Sequence, residues 1–158
     1  MSKNNKDNLL IEWKYRLFLE MIFSSINPQY EKWVFDHRIH DYFGYEVEVN
    51  DEYGYIMFFG ENENKEDFIS LIHEGLQTDL SGFSDYFERL KRRYFAQLLR
   101  QFDDQDDYVI TLIRSTFSRV EITDSINCLK SIEFKDLLNI KDDILSMDTS
   151  FVKMNKKL

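Results

Sequence analysis

Between Asn8 and Phe23 the apolar residues Leu10, Trp13, Leu17 and Met21 recur at intervals of three and four. That spacing lines one face of an amphipathic helix. The SSINP stretch then breaks the period, because a residue before proline is pushed out of the α region. Pro28 suits the first position of a second helix, predicted over Gln29–Asp41 with Trp33 and Ile39 among its apolar positions.

The period changes after residue 44. Tyr45, Val47 and Val49 alternate with Glu46 and Glu48, and YIMFF follows NDEYG, which predicts a β-hairpin near residues 44–60. Gly54 can supply a positive φ in its turn. The second strand is apolar on both sides, so it should be the more deeply buried of the two, with Tyr45, Tyr55, Phe58 and Phe59 in the core. A lone hairpin needs a helix or a third strand behind it.

Helical spacing then resumes. Asn64 is an N-cap candidate, Glu66 and Asp67 suit a first turn, and Gly75 marks a stop. Ser84 is the expected cap of a long helix reaching about Phe102. Val109, Leu112, Ile113, Thr116, Phe117 and Val120 fit a helical face, although their β-branched content leaves a strand open for 108–120. A further helix is predicted from Thr123 or Asp124 to Ile132 and a last one over Phe134–Met147, with a frayed basic tail from about residue 151. The fold class is therefore mostly α (α+β): a single-domain helical bundle of five to seven helices across residues 1–158, with one inserted β-hairpin.

Composition adds to this pattern. The chain has 14 Phe and 9 Tyr, so large rings build much of its core. Its single cysteine, Cys128, excludes an intramolecular disulfide and fits a reducing compartment. No apolar run approaches the ~18 residues of a membrane span, and no leader-like stretch opens the sequence. The expected location is the cytoplasm, with no membrane contact.

Charge is unevenly spread. The net charge is −9, yet Arg89, Lys91, Arg92, Arg93 and Arg100 lie close together. At 100° per residue Arg89, Arg93 and Arg100 share an arc of about 40° with Arg92 beside them, opposite Phe87, Leu90, Tyr94, Phe95, Leu98 and Phe102. This is an arginine stripe on the outer face of an amphipathic helix. The DDQDD run behind it (103–107) lacks the glycine and the terminal glutamate of a calcium loop, and reads as a helix connection.

Acid concentrates upstream. Residues 41–67 hold nine acidic side chains against Lys65 alone, interleaved with seven aromatic rings. Acid steers a basic partner while rings supply desolvated anchors. Glu46, Glu48, Asp51, Glu52, Tyr53, Glu61 and Glu63 are the expected partner-binding residues, with Tyr53 the ring most open to solvent.

Candidate chemistry is sparse. DHRIHD (36–41) is the one local run of metal-type ligands, with His37 and His40 sharing a face if helical and Asp36 or Asp41 beside them. Phosphate-loop, dinucleotide and nucleophile-elbow motifs are absent, and no cofactor is implied. Cys128, beside Ile126 and Leu129, reads as a buried thiol.

The leading expectation is a non-enzymatic acidic protein that inhibits or regulates a basic macromolecular partner, of the toxin-immunity or phage and bacterial inhibitor kind. Net acid argues against unaided nucleic-acid binding. Two alternatives remain: a small metal-dependent hydrolase or nuclease built on DHRIHD, and a regulatory domain touching nucleic acid through the arginines. A homodimer could form through the opposite-charge surfaces.

Overall fold

The computed structural model describes residues 5–40, 42–62 and 64–154. Its elements run α1 (Lys6–Ile22), α2 (Pro28–Phe35), β1 (Gly44–Val49), β2 (Gly54–Phe59), α3 (Lys65–Leu76), α4 (Ser84–Arg100), α5 (Gln105–Ser118), α6 (Asp124–Ser131), a 3-10 turn (Phe134–Leu137) and α7 (Ile140–Leu145). The chain is mostly α with one inserted antiparallel hairpin, as the periodicities predict. No described helix is long and apolar enough to cross a membrane.

Helix α1 is the hub. Leu17, Phe18, Leu19, Met21, Ile22 and Phe23 are all buried, so its second half is enclosed on every side rather than along one stripe. β1, α4, α6, the 3-10 turn and α7 all pack on it. The N-terminal end of α1 is tied to α6 by Lys6, whose ammonium lies 2.8 Å from the buried Asp124 carboxylate. Asp124 also accepts the Glu121 backbone N–H at 2.8 Å.

Asn27 joins α1 to α2. It is 1% exposed, and its amide donates to the Ile22 carbonyl at 3.0 Å while its side-chain oxygen accepts the Gln29 N–H at 3.0 Å. One side chain thus satisfies an orphan carbonyl of α1 and an orphan N–H of α2. Pro28 follows as the first residue of α2, as its fixed φ favours.

Several boundaries differ from the sequence reading. α2 stops at Phe35 instead of continuing to residue 41. The Arg38 N–H bonds the Trp33 carbonyl and the His37 N–H bonds that of Val34, while His37 adopts φ 57°. This is a Schellman closure with histidine where glycine is usual. Arg119, at φ 56°, ends α5 in the same way, through Val120 N–H to Ser115 and Arg119 N–H to Thr116. The two non-glycine positive φ values among the described residues are therefore helix caps.

Gly54 does not take a positive φ. The hairpin turns instead on Asn50, whose side-chain oxygen accepts the N–H groups of Glu52 (2.9 Å) and Tyr53 (3.0 Å). Gly75 lies inside α3 rather than beyond it, and a Cβ there would meet the Phe23 ring at 2.5 Å. Its role is close packing, not termination. Ser84 begins α4 without capping it, whereas Asn64 caps α3 by accepting the Glu66 N–H at 3.0 Å.

DDQDD is a helix connection, in which Asp104 accepts the N–H groups of Asp106 and Asp107 at the start of α5. Residues 105–118 are helix, not strand. The single C-terminal helix predicted for 134–147 is two short elements. Glu133 and Asp136 form a reciprocal capping box around the 3-10 turn, and α7 starts afresh at Ile140.

The hairpin rests on α1 through one face. Register pairs Tyr45 with Phe58, Val47 with Ile56 and Glu48 with Tyr55. Tyr45, Val47, Val49, Ile56 and Phe58 turn inward, where Phe23 packs against the rings of Phe43, Tyr45 and Phe58. Contrary to the sequence expectation, β2 is the more exposed strand. Tyr55, Met57 and Phe59 point outward and are 36%, 45% and 47% exposed. Strand alternation holds whatever the side chains are, so apolar character on both faces of β2 does not bury both.

Candidate protein-binding hairpin

The outer face of the hairpin sets two chemically different rows side by side. β1 contributes Glu46 and Glu48; β2 contributes Tyr55, Met57 and Phe59, with Glu46 opposite Met57 and Gly44 opposite Phe59. The Phe59 ring lies over Gly44, where a Cβ would stand 2.7 Å from its carbons. Aromatic cover of a cross-strand glycine holds that ring flat on the ribbon.

Glu48 organises the end near the turn. Its two carboxylate oxygens accept the Tyr53 and Tyr55 hydroxyls, each at 3.0 Å, and Asn50 adds a longer bond at 3.3 Å. The two tyrosine rings stack with centroids 6.2 Å apart and planes 13° from parallel. Hydrogen bonds from Tyr53 and then Tyr55 hold the Glu48 carboxyl below its ordinary value. The Tyr55 phenol is raised, chiefly by the same bond to Glu48. The result is an anion fixed between two solvent-facing rings.

The remaining hairpin acids are placed differently. Asp51 accepts a bond from Asn8 of α1 at 2.8 Å, which anchors the turn to the bundle. Glu46 and Glu52 are exposed, as is Tyr53 at 54%. Glu61 stands away from the ribbon face, on an open cleft of 340 Å³ lined also by Val34, His37, Ile39, His40 and Tyr42. Glu63 lies outside the described residues, as does Asp41 of the DHRIHD run.

The inner face connects to the arginine stripe. The Tyr45 hydroxyl donates to Glu20 at 2.6 Å, and the other Glu20 oxygen accepts from Arg93 at 2.5 Å. Burial and then the Glu20 carboxylate push the Tyr45 phenol far above the ordinary range. The basic helix therefore meets α1, not the acidic hairpin turn. Arg89 leans over the Tyr86 ring and reaches the Asp85 carbonyl at 3.4 Å. Lys91 donates to the Lys130 and Ile132 carbonyls at 3.2 and 2.6 Å, closing the C-terminus of α6. Arg92 and Arg100 are exposed. The stripe is partly committed inside the chain, which weakens it as a nucleic-acid surface.

DHRIHD is not a helical ligand pair. Past Phe35 the chain is capped and turned, so His37 and His40 do not share a helix face, and Asp36 is an exposed cap residue. Among the described residues no three His, Cys, Asp or Glu side chains form a group that could hold a metal ion. The working member of the run is Arg38, which bonds Asp67 at 3.1 Å and Glu74 at 2.6 Å; Glu74 also accepts the Trp33 indole N–H at 3.1 Å. Arg38 first, with Trp33 helping, holds the Glu74 carboxyl below its usual range. This network docks α3 on α2. Cys128 is buried, and burial raises its thiol.

Sequence reasoning missed Tyr55, Met57 and Phe59 as surface residues. The signal was present: once Tyr45 and Val47 point inward, antiparallel pairing sends Phe58 and Ile56 inward with them.

No family model matches this sequence, and no curated protein matches it. Among solved structures, a crystal structure described as that of an M16-like peptidase from Alicyclobacillus acidocaldarius is similar, with a TM-score of 0.72 over 90% of this chain at 15% identity. This chain spans 35% of that chain's length. The likeness is one of fold.

Proposed function

We propose that the chain is a non-enzymatic binding protein that takes a basic protein partner on the outer face of its hairpin and thereby inhibits or regulates it. The class is that of toxin immunity proteins and of phage or bacterial inhibitors, acting in the cytoplasm. One observation carries the reading: a row of glutamates runs beside a row of exposed rings and a methionine on a ribbon whose other face is locked into the core. Such a surface attracts Lys and Arg head groups with its acids and packs their methylene stems on its rings. Glu48, already fixed by two hydroxyls, needs little ordering on binding.

Affinity capture from the native cell tests this, using the intact chain and a variant with Glu46, Glu48, Asp51 and Glu52 changed to lysine. The expected result is one basic protein recovered by the intact chain, with capture lost in the variant and weakened by added salt. Capture that survives the reversal overturns the hairpin assignment.

A further inference from the structure

We propose that the free edge of β2 takes an extended segment of the basic partner as a third strand, with lysine or arginine alternating with apolar residues along it. This rests on the basic-partner reading above and specifies how that partner is held.

In an antiparallel pair, residues that bond each other alternate with residues whose N–H and C=O groups point away from the partner strand. The Asn50 N–H donates to the Tyr53 carbonyl at 2.9 Å, which fixes the phase of that alternation. With the register of the ribbon, Glu48 and Tyr55, Glu46 and Met57, and Gly44 and Phe59 are the bonded pairs. The backbone groups of Ile56 and Phe58 therefore point away from β1, and no described residue outside the hairpin bonds them. β1 packs on α1, whereas no helix packs extensively on β2. Edges of this kind are ordinarily guarded by a charged side chain, a proline or a bulge. GYIMFF contains neither charge nor proline, and its register runs unbroken. Ile56 and Phe58 are also only half-buried, although their side chains face the core. Their flank is open on the side where a third strand would lie. α5 exposes large apolar side chains too, with Ile113 at 50% and Phe117 at 84%, but a helix satisfies its own backbone.

Charge and spacing select the occupant. Residues 44–61 hold Glu46, Glu48, Asp51, Glu52 and Glu61 and no Lys or Arg. A second copy would bring a hairpin of the same sign, whereas a basic segment is drawn in. Inward-facing side chains of an added strand would lie beside Ile56 and Phe58 and complete their burial, so apolar residues suit those positions. Outward-facing ones would lie beside Tyr55, Met57 and Phe59, with the Glu46 and Glu48 strand about 9.6 Å away, two strand spacings. A Lys or Arg stem laid across the apolar row brings its head group to those carboxylates.

Hydrogen exchange and titration followed by NMR test this on the full chain, with an octapeptide of alternating lysine and valine as the probe. In the free chain the Ile56 and Phe58 amides should exchange at about the unprotected rate, while those of Tyr55 and Met57 are slowed. Saturating peptide should slow Ile56 and Phe58 at least about tenfold. N-methylating one alternating set of peptide nitrogens should weaken binding about tenfold or more, and methylating the other set should change it less than about twofold. Glu46→Gln together with Glu48→Gln should weaken it about fivefold. No saturable binding overturns the proposal. So does protection of Ile56 and Phe58 without peptide, which would mean that a second copy or the chain itself already fills the edge. Equal effects of the two methylated sets overturn the added strand while leaving a charge-driven contact on the ribbon face intact. Binding indifferent to the glutamine changes overturns the basic occupant.

Discussion

The hairpin and α5 both send large apolar side chains into solvent, but for different reasons. In the hairpin the exposure is imposed. Tyr45, Val47, Ile56 and Phe58 must point at α1, so Tyr55, Met57 and Phe59 must point away. In α5 nothing in the backbone period compels it. A helix can turn its apolar arc either way, and this one turns Thr111 and Ser115 inward. A strand's outward face is a by-product of its inward one, while a helix's outward face is set by how its caps and connections orient it. The hairpin further mixes acid with its rings, whereas α5 gathers its acids at the N-terminal end and carries Arg114 further along.

The sharpest way to break this comparison is to place a charge on each face of the ribbon. Val47→Asp buries a carboxylate at a site 3% exposed, and a loss above about 4 kcal/mol is expected, enough to unfold a marginal domain. Met57→Asp, on the neighbouring strand but facing out, should stay within about 0.5 kcal/mol. Urea denaturation followed by circular dichroism separates the two; equal losses would mean that the ribbon is covered on both sides.

Gly75→Ala comes next. The added methyl must displace Phe23, the ring on which the hairpin rests, and a loss of about 2 kcal/mol in the same assay is expected. Tyr45→Phe removes a donor from the half-buried Glu20 while Arg93 remains, and about 1 kcal/mol should be lost. The two left-handed caps run the other way. Glycine at His37 or Arg119 relieves the Cβ contact of that conformation, and each change should raise the thermal midpoint by the equivalent of about 0.5 kcal/mol.

The smallest effect is electrostatic. The folded state lowers the Glu48 pKa, so its contribution is complete above the ordinary glutamate range and is lost as pH falls through the lowered value. Changing Tyr53 and Tyr55 together to phenylalanine should return the Glu48 titration, followed by NMR, toward the ordinary value. An unmoved titration would show that the hydroxyls do not hold the carboxylate in solution.

Much of this architecture was legible in the residues. Spacings of three and four located α1 and α4, alternation located the hairpin, and Pro28 and Asn64 marked helix starts, while the β-branched content of 108–120 left α5 open between helix and strand. Local spacing could not say which way an element faces. The apolar set on α5 fits a helical face equally well whether that face is buried or open. The end of α2 was illegible because its left-handed cap is a histidine, where only glycine would have announced it. The candidate site was half legible: the acids stood out by density, while Tyr55, Met57 and Phe59 emerged only from pairing parity. Arg38 carries no local signal in the sequence, because its partners on α3 lie 29 and 36 residues away.

Asn27 has a consequence for the chemical ageing of the protein. Asparagine deamidates when the backbone nitrogen of the next residue attacks the side-chain amide and closes a five-membered imide. Here the next residue is Pro28, whose nitrogen carries no hydrogen and cannot complete that ring. An aspartate at this site would set an anion against the Ile22 carbonyl in a place 1% exposed. The proline that starts α2 therefore also closes the imide route to deamidation at the joint that precedes it.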